Sequence, residues 1–415
     1  MTYRIGPTNT DLLLDEPLPR EVKYTVISVD DHLVEPPDMF DGRLPTALQQ
    51  GAPRIVENEH GHQVWEFDEQ RFTQVGMNAV AGRKREHVKL EPTRFEDMRR
   101  GCWDIEARIR DMDIGGVWAS MNFPSQITGF CGRVFSLARD PELGKAVTRA
   151  WNDWLIEEWY GAHPDRIIPM GITFLTDPSE GAREIHRMAS LGFVSVTLPE
   201  RPHRIGLPSL WDEHWDPIIR ACADTDMVIS LHVGSSGMPD LPTGAPALEL
   251  GATLFGQLSL TACAEWLWSG HPARYPNLKI AMSEGGIGWV AMLLDRLDNI
   301  VDRSGYGVGR FGDLRPAEVL QRNFWFCTID DPSTIDTRHR IGLEKIMVEV
   351  DYPHGDSTWP DTQLVIEKAW GHLPDNELRM LCCENAAALY RHPLPPVVLP
   401  ASPGAESAGT SSARR

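Results

Sequence analysis

The stretch Val26-Ile27-Ser28-Val29-Asp30-Asp31-His32-Leu33-Val34-Glu35-Pro36-Pro37 decides how the rest of the chain is interpreted. Its β-branched start predicts a buried strand that ends at two carboxylates, a histidine and a Pro-Pro pair. Asp30 and His32 are two residues apart, so on an extended chain they point to the same side. An Asp-x-His pair at the end of a buried strand can supply two metal ligands. A capped turn with a surface histidine would have the same local sequence, and the rest of the chain decides between the two.

Composition places the chain among acidic globular proteins. It has 415 residues, 42% of them hydrophobic, and a formal net charge of −19. This charge argues against nucleic acid or an anionic membrane as a partner. No apolar run is long enough to span a membrane, so we expect a cytoplasmic protein with a small-molecule substrate. The seven cysteines include no Cys-x-x-Cys pair and predict reduced thiols.

Strand-like and helix-like segments alternate along the chain. The predicted strands are 25–30, 116–121, 167–172, 193–198, 227–232, 278–284, 324–328 and 345–351, and the predicted helices are 103–113, 133–161, 178–190, 212–224, 247–270, 289–302, 333–342, 361–372 and 375–390. This alternation predicts parallel βαβ units, and eight of them predict a (β/α)8 TIM barrel. An open doubly wound sheet is the alternative, but no strand–GxGxxG–helix unit supports it.

The prediction divides the chain into three parts. Residues 1–22 are an N-terminal arm, residues 23–393 are the barrel, and residues 394–415 are a disordered tail rich in Pro, Ala, Ser and Gly. Residues 41–102 interrupt the alternation and predict a long insertion or lid after the first strand, because loops of this length are usually functional.

Potential metal ligands follow five of the eight predicted strands. They are Asp30, His32, Glu200, His232, Glu284 and Asp351. In a TIM barrel the active site lies at the C-terminal ends of the strands. Two imidazoles with carboxylates suit Zn²⁺, Fe²⁺ or Mn²⁺. Each residue taken alone could instead cap a turn, but that interpretation would have to hold for all of them at once.

Three motifs resemble those of a known superfamily. They are Ser28-Val29-Asp30-Asp31-His32, Leu231-His232-Val233-Gly234 and Val350-Asp351-Tyr352-Pro353-His354-Gly355-Asp356. Their order resembles the amidohydrolase superfamily, and within it the amidohydrolase-related branch that includes the aminocarboxymuconate semialdehyde decarboxylase group. The resemblance covers roughly residues 23–393. It implies that Asp30, His32, His232 and Asp351 bind a divalent metal, that Asp351 can also take a proton from water, and that a homodimer is possible.

Two departures from the family pattern concern the ligands. Asp30 stands where many members have a histidine, which keeps an anionic ligand. The family's decarboxylases resemble one another in carrying a His-Gly motif after the corresponding strand, whereas this chain has Ser283-Glu284-Gly285-Gly286. The histidine that would take part in decarboxylation is therefore missing at this position. Glu284 could instead bind a second metal ion. Glu200 could bridge two ions, since no lysine stands at that strand end.

These observations favour a metal-dependent hydrolase that uses zinc or iron, as one ion or two, with manganese as a further choice. Asp351, His232 and Glu284 are the predicted catalytic residues, with Asp351 passing a proton from an activated water to the leaving group. The predicted substrate is an amide, ester or thioester with a bulky, partly apolar acyl group. A non-oxidative decarboxylase of an aromatic or enoic acid is the first alternative, and a non-catalytic metal-binding barrel is the second.

Other residues near the predicted strand ends have structural explanations of equal weight. Glu35 could bind metal or cap the following loop. His354 and Asp356 could hold the ligands in place or form a turn. Trp289 and Trp359 could line an apolar pocket or belong to the core.

Overall fold

A computed structural model describes residues 5–89, 91–328 and 331–401. Its strands are β1 (Ile27–His32), β2 (Arg54–Glu57), β3 (Gln63–Phe67), β4 (Gln70–Phe72), β5 (Ala119–Phe123), β6 (Ile167–Ile168), β7 (Met170–Gly171), β8 (Ser195–Thr197), β9 (Val228–His232), β10 (Ile280–Ser283), β11 (Phe324–Thr328) and β12 (Ile346–Val348).

The α-helices alternate with the parallel strands from residue 105 onwards. They are α1 (Ile105–Gly115), α2 (Arg133–Ser136), α3 (Pro141–Trp154), α4 (Tyr160–Ala162), α5 (Pro178–Leu191), α6 (Asp216–Asp224), α7 (Ala247–Thr253), α8 (Phe255–Trp268), α9 (His271–Arg274), α10 (Gly288–Ser304), α11 (Pro316–Asn323), α12 (Arg338–Ile341), α13 (Thr362–Trp370), α14 (Asp375–Arg379) and α15 (Asn385–Tyr390). Two π-helical turns, Leu155–Trp159 and Met380–Glu384, join α3 to α4 and α14 to α15. Short 3₁₀ helices cover Gln49–Gly51, Arg85–His87, Phe95–Asp97, Arg100–Cys102, Pro202–Ile205, Glu213–Trp215, Thr334–Thr337 and Leu343–Lys345.

Sequence signals explain where the helices begin and end. Asp177 caps α5 by accepting hydrogen bonds from the backbone N–H groups of Ser179 and Glu180, and Pro178 occupies the first turn. Gly192 ends the helix with a φ of 98°, a left-handed conformation that favours glycine. The predicted helix 178–190 is therefore confirmed to within one residue.

The parallel strands form two sheets in chain order. One sheet has the order β1-β5-β6, and the other has the order β12-β11-β10-β9-β8-β7. Strands β5 and β9 are buried along their whole length, as expected where both faces of a parallel sheet are covered. The parallel βαβ organisation is confirmed. The described residues show no closed ladder of strands; the eight predicted barrel strands lie in two parallel sheets.

Two local features interrupt the ladder. Pro169 lacks the N–H that a ladder needs and separates β6 from β7, which were predicted as one strand. Within the first sheet, the pairing of β1 with β5 shifts register between Ser28 and Asp31. Isolated backbone bonds join the end of β1 to the residues after β12: Asp351 N–H donates to the Asp30 carbonyl at 2.8 Å and His32 N–H donates to the Tyr352 carbonyl at 2.7 Å. The ends of the first and last parallel strands are therefore held side by side.

The predicted arm, insertion and tail each contain residues that the structure describes. The segment 41–102 contains an antiparallel sheet of order β2-β3-β4, and its role as a lid stays a prediction. The arm is attached where Leu14 N–H donates to the Gly82 carbonyl at 2.9 Å. In the predicted tail, Leu399 N–H donates to the Thr25 hydroxyl at 2.8 Å, and residues 402–415 lie outside the described residues.

No helix in the described ranges is both long and apolar enough to cross a membrane.

Arg108 on α1 holds the end of β1 in place through hydrogen bonds to backbone carbonyls. It is 1% exposed and donates to the Gly101 carbonyl at 2.7 Å and to the His32 carbonyl. Its guanidinium lies over the Tyr352 ring, 4.5 Å from the centroid. We expect Arg108→Ala to lower the free energy of unfolding by about 3 kcal/mol, because two buried carbonyls lose their donor and a cavity opens.

Urea unfolding would measure this effect against a control on the same helix. Arg110 is exposed, and Arg110→Ala should change stability by less than about 0.5 kcal/mol. Equal effects of the two substitutions would show that Arg108 does not support β1.

Candidate metal centre

Four predicted ligands come together where β1, β9 and β12 end. His32 Nε2 lies 3.1 Å from His232 Nε2, 3.6 Å from Asp30 Oδ1 and 3.2 Å from Asp351 Oδ1. His232 Nε2 lies 3.5 Å from Asp30 Oδ1. Two ligands of one tetrahedral zinc ion are about 3.4 Å apart, given bonds of about 2.1 Å. Asp30, His32 and His232 therefore have the spacing of atoms that share a single cation, and Asp351 joins this group through its contact with His32.

The extended chain of β1 explains the positions of Asp30 and His32. Both side chains are buried, and both point to the centre, as the two-residue spacing predicts. Asp31 points elsewhere: its carboxylate accepts hydrogen bonds from the Ser120 hydroxyl and, at 2.9 Å, from Tyr352 N–H. Asp31 thus connects β1 to both neighbouring strand ends.

A backbone contact sets the tautomer of His232. Its Nδ1 lies 2.7 Å from the Val233 carbonyl, which can only accept, so Nδ1 carries the proton. The lone pair on Nε2 then faces Asp30 and His32. Holding one ring nitrogen in this way is how proteins usually orient a metal-binding imidazole.

Glu284 and Asp351 lie in tight turns after β10 and β12. Their φ angles are 61° and 57°, a left-handed conformation that is uncommon for residues other than glycine. Such conformations concentrate at functional sites. Glu284 Oε2 lies 3.4 Å from His232 Nε2, so Glu284 is at the edge of the cluster.

His354 supports Asp351 and His32. Its Nδ1 lies 2.9 Å from Asp351 Oδ1, and its ring stacks on the His32 ring with centroids 3.8 Å apart. Glu284, Asp351, His354 and Asp356 can bring one potential ligand atom each within 4.8 Å of one another. His354 therefore contacts two of the candidate ligands, in addition to its place in the turn after β12.

The structure does not bring Glu200 or Glu35 into the cluster. The Glu200 carboxylate accepts from Gly234 N–H at 3.2 Å, and Glu200 belongs to none of the potential ligand groups among the described residues. Glu35 is satisfied by Ser125, through its N–H and hydroxyl, and by the Trp151 indole N–H at 3.0 Å. Glu35 therefore fixes a loop and has no carboxylate oxygen left for a metal.

Of the two tryptophans, only Trp289 faces a cavity at the strand ends. Trp359 Nε1 donates to the Asp111 carbonyl at 2.7 Å, and its ring packs on Tyr352 and Arg99. Trp359 therefore belongs to the packing behind the site.

Glu349 and Cys327 were missed as site residues. Cys327 Sγ lies 2.5 Å from Glu349 Oε2, and the same oxygen accepts from Glu284 N–H at 3.2 Å. These two residues and Asp30 form a further potential ligand group, fully buried. The two-residue spacing of Glu349 and Asp351 repeats that of Asp30 and His32, and could have identified Glu349 from the sequence.

Burial sets the charge of the candidate ligands. It raises the pKa of Asp30, Asp351 and Glu284 well above the usual range, reinforced by neighbouring carboxylates. It lowers the pKa of His232 to about 3 and that of His32 well below its usual value. At neutral pH the imidazoles are therefore neutral, which is the form that binds metal.

The donor set fits a divalent cation. Both residues are buried; Asp351 Oδ1 lies 2.9 Å from His354 Nδ1, and neither carboxylate oxygen of Asp30 has a hydrogen-bond partner within the described part of the chain. Buried carboxylates without donors are costly unless a cation or proton compensates them. Two neutral imidazoles and two carboxylates suit zinc, iron or manganese equally.

We expect the stabilisation by added Mn²⁺ to increase from about pH 5 to about pH 8. The raised carboxylate pKa values mean that the metal-free fold is favoured by protonation and loses this contribution as pH rises through those values. A cation replaces the proton, so its benefit grows with pH. At a hundredfold excess over Kd it should reach about 2.7 kcal/mol.

Thermal unfolding with and without Mn²⁺ at each pH would measure the difference. Taking the difference cancels the opposite contribution of the histidines, whose lowered pKa values cost stability as pH falls. A gain that does not vary with pH would mean that the cation binds elsewhere.

Two neighbouring cavities lie beside the cluster. We call the first the apolar arm; it has a volume of about 560 Å³, and its wall includes Met77, Val80, Val88, Phe130, Met238 and Phe255. We call the second the acidic arm; it has a volume of about 430 Å³, and its wall includes Trp289, Glu284, Asp331, Glu349, Asp351 and Asp356. The arms share Glu284 and Asp356 in their walls, so the two cavities are neighbours.

Comparison with known proteins identifies similar sequences and folds. A family model described as amidohydrolase (Amidohydro_2) matches residues 58–392. An amidohydrolase from Mycobacterium avium subsp. paratuberculosis superimposes with a TM-score of 0.68 and 21% identity, over 89% of this chain and 98% of that one.

Two similar structures are of decarboxylases. The 5-carboxyvanillate decarboxylase of Novosphingobium aromaticivorans, in complex with manganese and 4-hydroxy-3-methoxy-5-nitrobenzoic acid, has a TM-score of 0.61 and 20% identity, over 91% of this chain and 99% of that one. The 2,6-dihydroxybenzoate decarboxylase of Rhizobium has a TM-score of 0.58 and 17% identity, over 89% and 99%. At these identities the likeness establishes the fold, and the family implies that the two parallel sheets are those of a TIM-barrel fold.

Proposed function

Because the chain belongs to the amidohydrolase family, we propose that it is a metal-dependent non-oxidative decarboxylase of an aromatic or enoic acid. The observation that carries this proposal is the position of His232, which belongs to the four-ligand cluster and also lines the apolar arm. An acid whose carboxylate sits at the cluster would place its ring or alkene against Phe130 and its apolar neighbours. The similarity to two structures of aromatic-acid decarboxylases supports the same choice.

The four clustered residues would hold the cation. A divalent ion bound by Asp30, His32, His232 and Asp351 would act as a Lewis acid for the substrate's carboxylate and the neighbouring oxygen. The ligands themselves are held by Asp31, His354 and the Val233 carbonyl, so the substrate meets a preorganised site.

Asp351 is the proposed proton donor. Decarboxylation breaks a carbon–carbon bond, leaves its electron pair on the substrate carbon and releases CO2, so that carbon must receive a proton. Asp351 lines the cavity in which that carbon would lie, so its carboxyl group could take up a proton from solvent and deliver it to the carbon. His354, 2.9 Å from Asp351 Oδ1, orients the carboxyl group.

The apolar arm would exclude water from the reacting carbon. Phe130 lies with its ring centroid 5.0 Å from that of His232 and 5.5 Å from that of His32, so it covers both imidazoles. A covered, apolar wall favours proton transfer from Asp351 over attack by solvent.

Hydrolysis of a bulky amide, ester or thioester is the second candidate, and Glu284 favours it. Its carboxylate lies 3.4 Å from His232 Nε2. At the corresponding sequence position, the family's decarboxylases resemble one another in carrying a histidine. A carboxylate there could accept a proton from an attacking water.

A substrate panel distinguishes the two reactions. We expect the Mn²⁺-loaded protein to release one CO2 for each aromatic or enoic acid consumed, with no oxygen from ¹⁸O-labelled water in the organic product. Release of a labelled acid from an amide, ester or thioester, without CO2, would establish the hydrolase instead.

A further inference from the structure

The backbone after β12 holds Asp351 in an uncommon conformation. Asp351 has a φ of 57°, and the next residue, Tyr352, is bonded to β1 on both sides of its peptide unit. Tyr352 N–H donates to Asp31 Oδ1 at 2.9 Å, and the Tyr352 carbonyl accepts from His32 N–H at 2.7 Å. A left-handed conformation at a residue other than glycine persists only where the surrounding contacts over-determine it. The position of the Asp351 carboxylate therefore depends on how firmly Tyr352 is held.

The side chain of Tyr352 supplies a third contact. Its phenol O–H donates to Asp111 Oδ2 on α1, and both residues are buried. A Cβ added at Gly101 would lie 2.8 Å from the Tyr352 hydroxyl oxygen and would collide with the Asp111 carboxylate. Glycine at this position therefore leaves the space that the buried hydrogen bond needs.

Arg99 connects Asp111 to the N-terminal arm. The buried Arg99 guanidinium donates to Asp111 from Nε at 3.2 Å and from Nη2 at 2.6 Å. It also donates to both carboxylate oxygens of Glu16, each at 3.0 Å, and lies over the Trp359 ring, 4.5 Å from the centroid. Paired contacts of this kind fix the planar guanidinium in one orientation. Glu16 is thus linked to the Tyr352 phenol through two buried side chains.

Backbone contacts place the N-terminal arm along the same turn. Residues 12–14 pair with residues 82–84 through two hydrogen bonds, at 2.9 and 3.0 Å. Immediately before this pairing, the N–H groups of Val80 and Ala81 donate to the Pro353 carbonyl at 3.0 and 2.9 Å. The N-terminal arm therefore lies against the segment that holds the turn, and the contacts of Glu16 do not depend on a free chain end.

We propose that Glu16, Arg99 and Asp111 are positioning residues for the metal centre. Acting through the Tyr352 phenol, they hold the turn in the conformation that presents the Asp351 carboxylate to the cation. This inference goes beyond the proposed function, because it concerns the cation site whichever reaction the protein performs.

Tyr352→Phe tests the proposal by removing one O–H and keeping the ring. We expect the Kd for Mn²⁺ to rise about tenfold, because a group that orients a metal ligand is lost. Tyr275→Phe is the matched control. Tyr275 O–H donates to Asp216 Oδ1 at 2.8 Å, and Asp216 also pairs with Arg274, but this group precedes β10 and lies at the opposite end of the strand from the cluster. Its Kd should stay within about twofold of the wild type.

Glu16→Gln tests the contribution of the N-terminal arm at an exposed position. We expect the Kd for Mn²⁺ to rise about threefold, because one partly exposed charge pair is lost. Asp15→Asn removes the neighbouring exposed carboxylate and should leave the Kd unchanged. In the Tyr352→Phe background, Glu16→Gln should have no further effect, because its influence passes through the phenol.

Competition with a fluorescent chelator measures these Kd values on folded protein, where a loss of overall stability does not alter the affinity of the native state. The visible absorption of the Co²⁺-loaded protein gives a second readout, because it depends on the geometry of the ligands. We expect an altered spectrum in Tyr352→Phe and a wild-type spectrum in Tyr275→Phe.

Several results would overturn the proposal. They are a wild-type Kd and Co²⁺ spectrum in Tyr352→Phe, an equal weakening by Tyr275→Phe, a wild-type Kd in Glu16→Gln, or additive effects in the double variant. If Tyr352→Phe does not fold, Glu16→Gln and Asp15→Asn decide alone. A wild-type protein that binds no Mn²⁺ would remove the metal centre and this inference with it. If the Kd values change as expected but no acid loses CO2, the proposed function fails and this inference stands.

Discussion

Asp351→Asn is expected to reduce turnover about a thousandfold while leaving the fold intact. Asparagine keeps the size and one oxygen of the side chain, but it cannot carry a transferable proton. Asp351 also has short distances to His32 Nε2 and His354 Nδ1, at 3.2 and 2.9 Å, so the substitution also weakens the cation site. The expected loss applies to kcat for decarboxylation and, if the protein is a hydrolase, to hydrolysis as well.

Asp336→Asn is the appropriate control for this substitution, because it removes an exposed carboxylate that contacts neither cavity. Circular dichroism and thermal unfolding would verify that both variants fold. Turnover of Asp351→Asn within a factor of about ten of the wild type would exclude Asp351 as the proton donor.

His232→Ala is expected to lower the affinity for a divalent cation by at least about a hundredfold. The imidazole contributes the Nε2 atom that lies 3.1 Å from His32 Nε2 and 3.5 Å from Asp30 Oδ1. Its loss leaves the two carboxylates and one imidazole, a weaker and less rigid set of ligands. The Kd for Mn²⁺, measured by competition with a fluorescent chelator, reports the change directly.

His60→Ala provides the control for His232→Ala. The His60 side chain is 69% exposed and lies in the segment 41–102, away from the cluster. Its removal should leave the Kd for Mn²⁺ unchanged. A His232→Ala variant with wild-type affinity would show that the cation binds at another of the potential ligand groups.

Local sequence patterns explain which parts of the site were predicted correctly. The two-residue spacing of Asp30 and His32 on a strand is sufficient to predict that both side chains point in one direction. His232 and Asp351 follow from the rule that parallel strands present their C-terminal ends at one edge. The structure places Asp30, His32 and His232 within 3.1–3.6 Å of one another and Asp351 3.2 Å from His32, and their role as metal ligands stays a prediction.

Other features depend on contacts between distant segments. The interruption at Pro169 could be anticipated, but the register shift in β1 arises from its pairing with β5. The Glu35 carboxylate meets Ser125 and Trp151, residues about ninety or more positions away in sequence, and so could not be recognised as a loop anchor. Glu200 stands at a predicted strand end, yet its carboxylate turns to Gly234 N–H.

The reaction type follows least directly from sequence. Glu284 favoured hydrolysis because it replaces an expected histidine, whereas two of the similar structures are of decarboxylases. The size and lining of the two arms, which decide what acid can bind, depend on loops that approach from several segments. Met77, Phe130 and Met238, for example, come from three different connections.

An anomalous difference map from a crystal of the Mn²⁺-loaded protein would test the metal centre most directly. We expect one strong peak within bonding distance of Asp30, His32, His232 and Asp351, between the ends of β1, β9 and β12. A peak at Asp30, Cys327 and Glu349 instead, or none near the two histidines, would contradict the assignment of these four residues as the ligands.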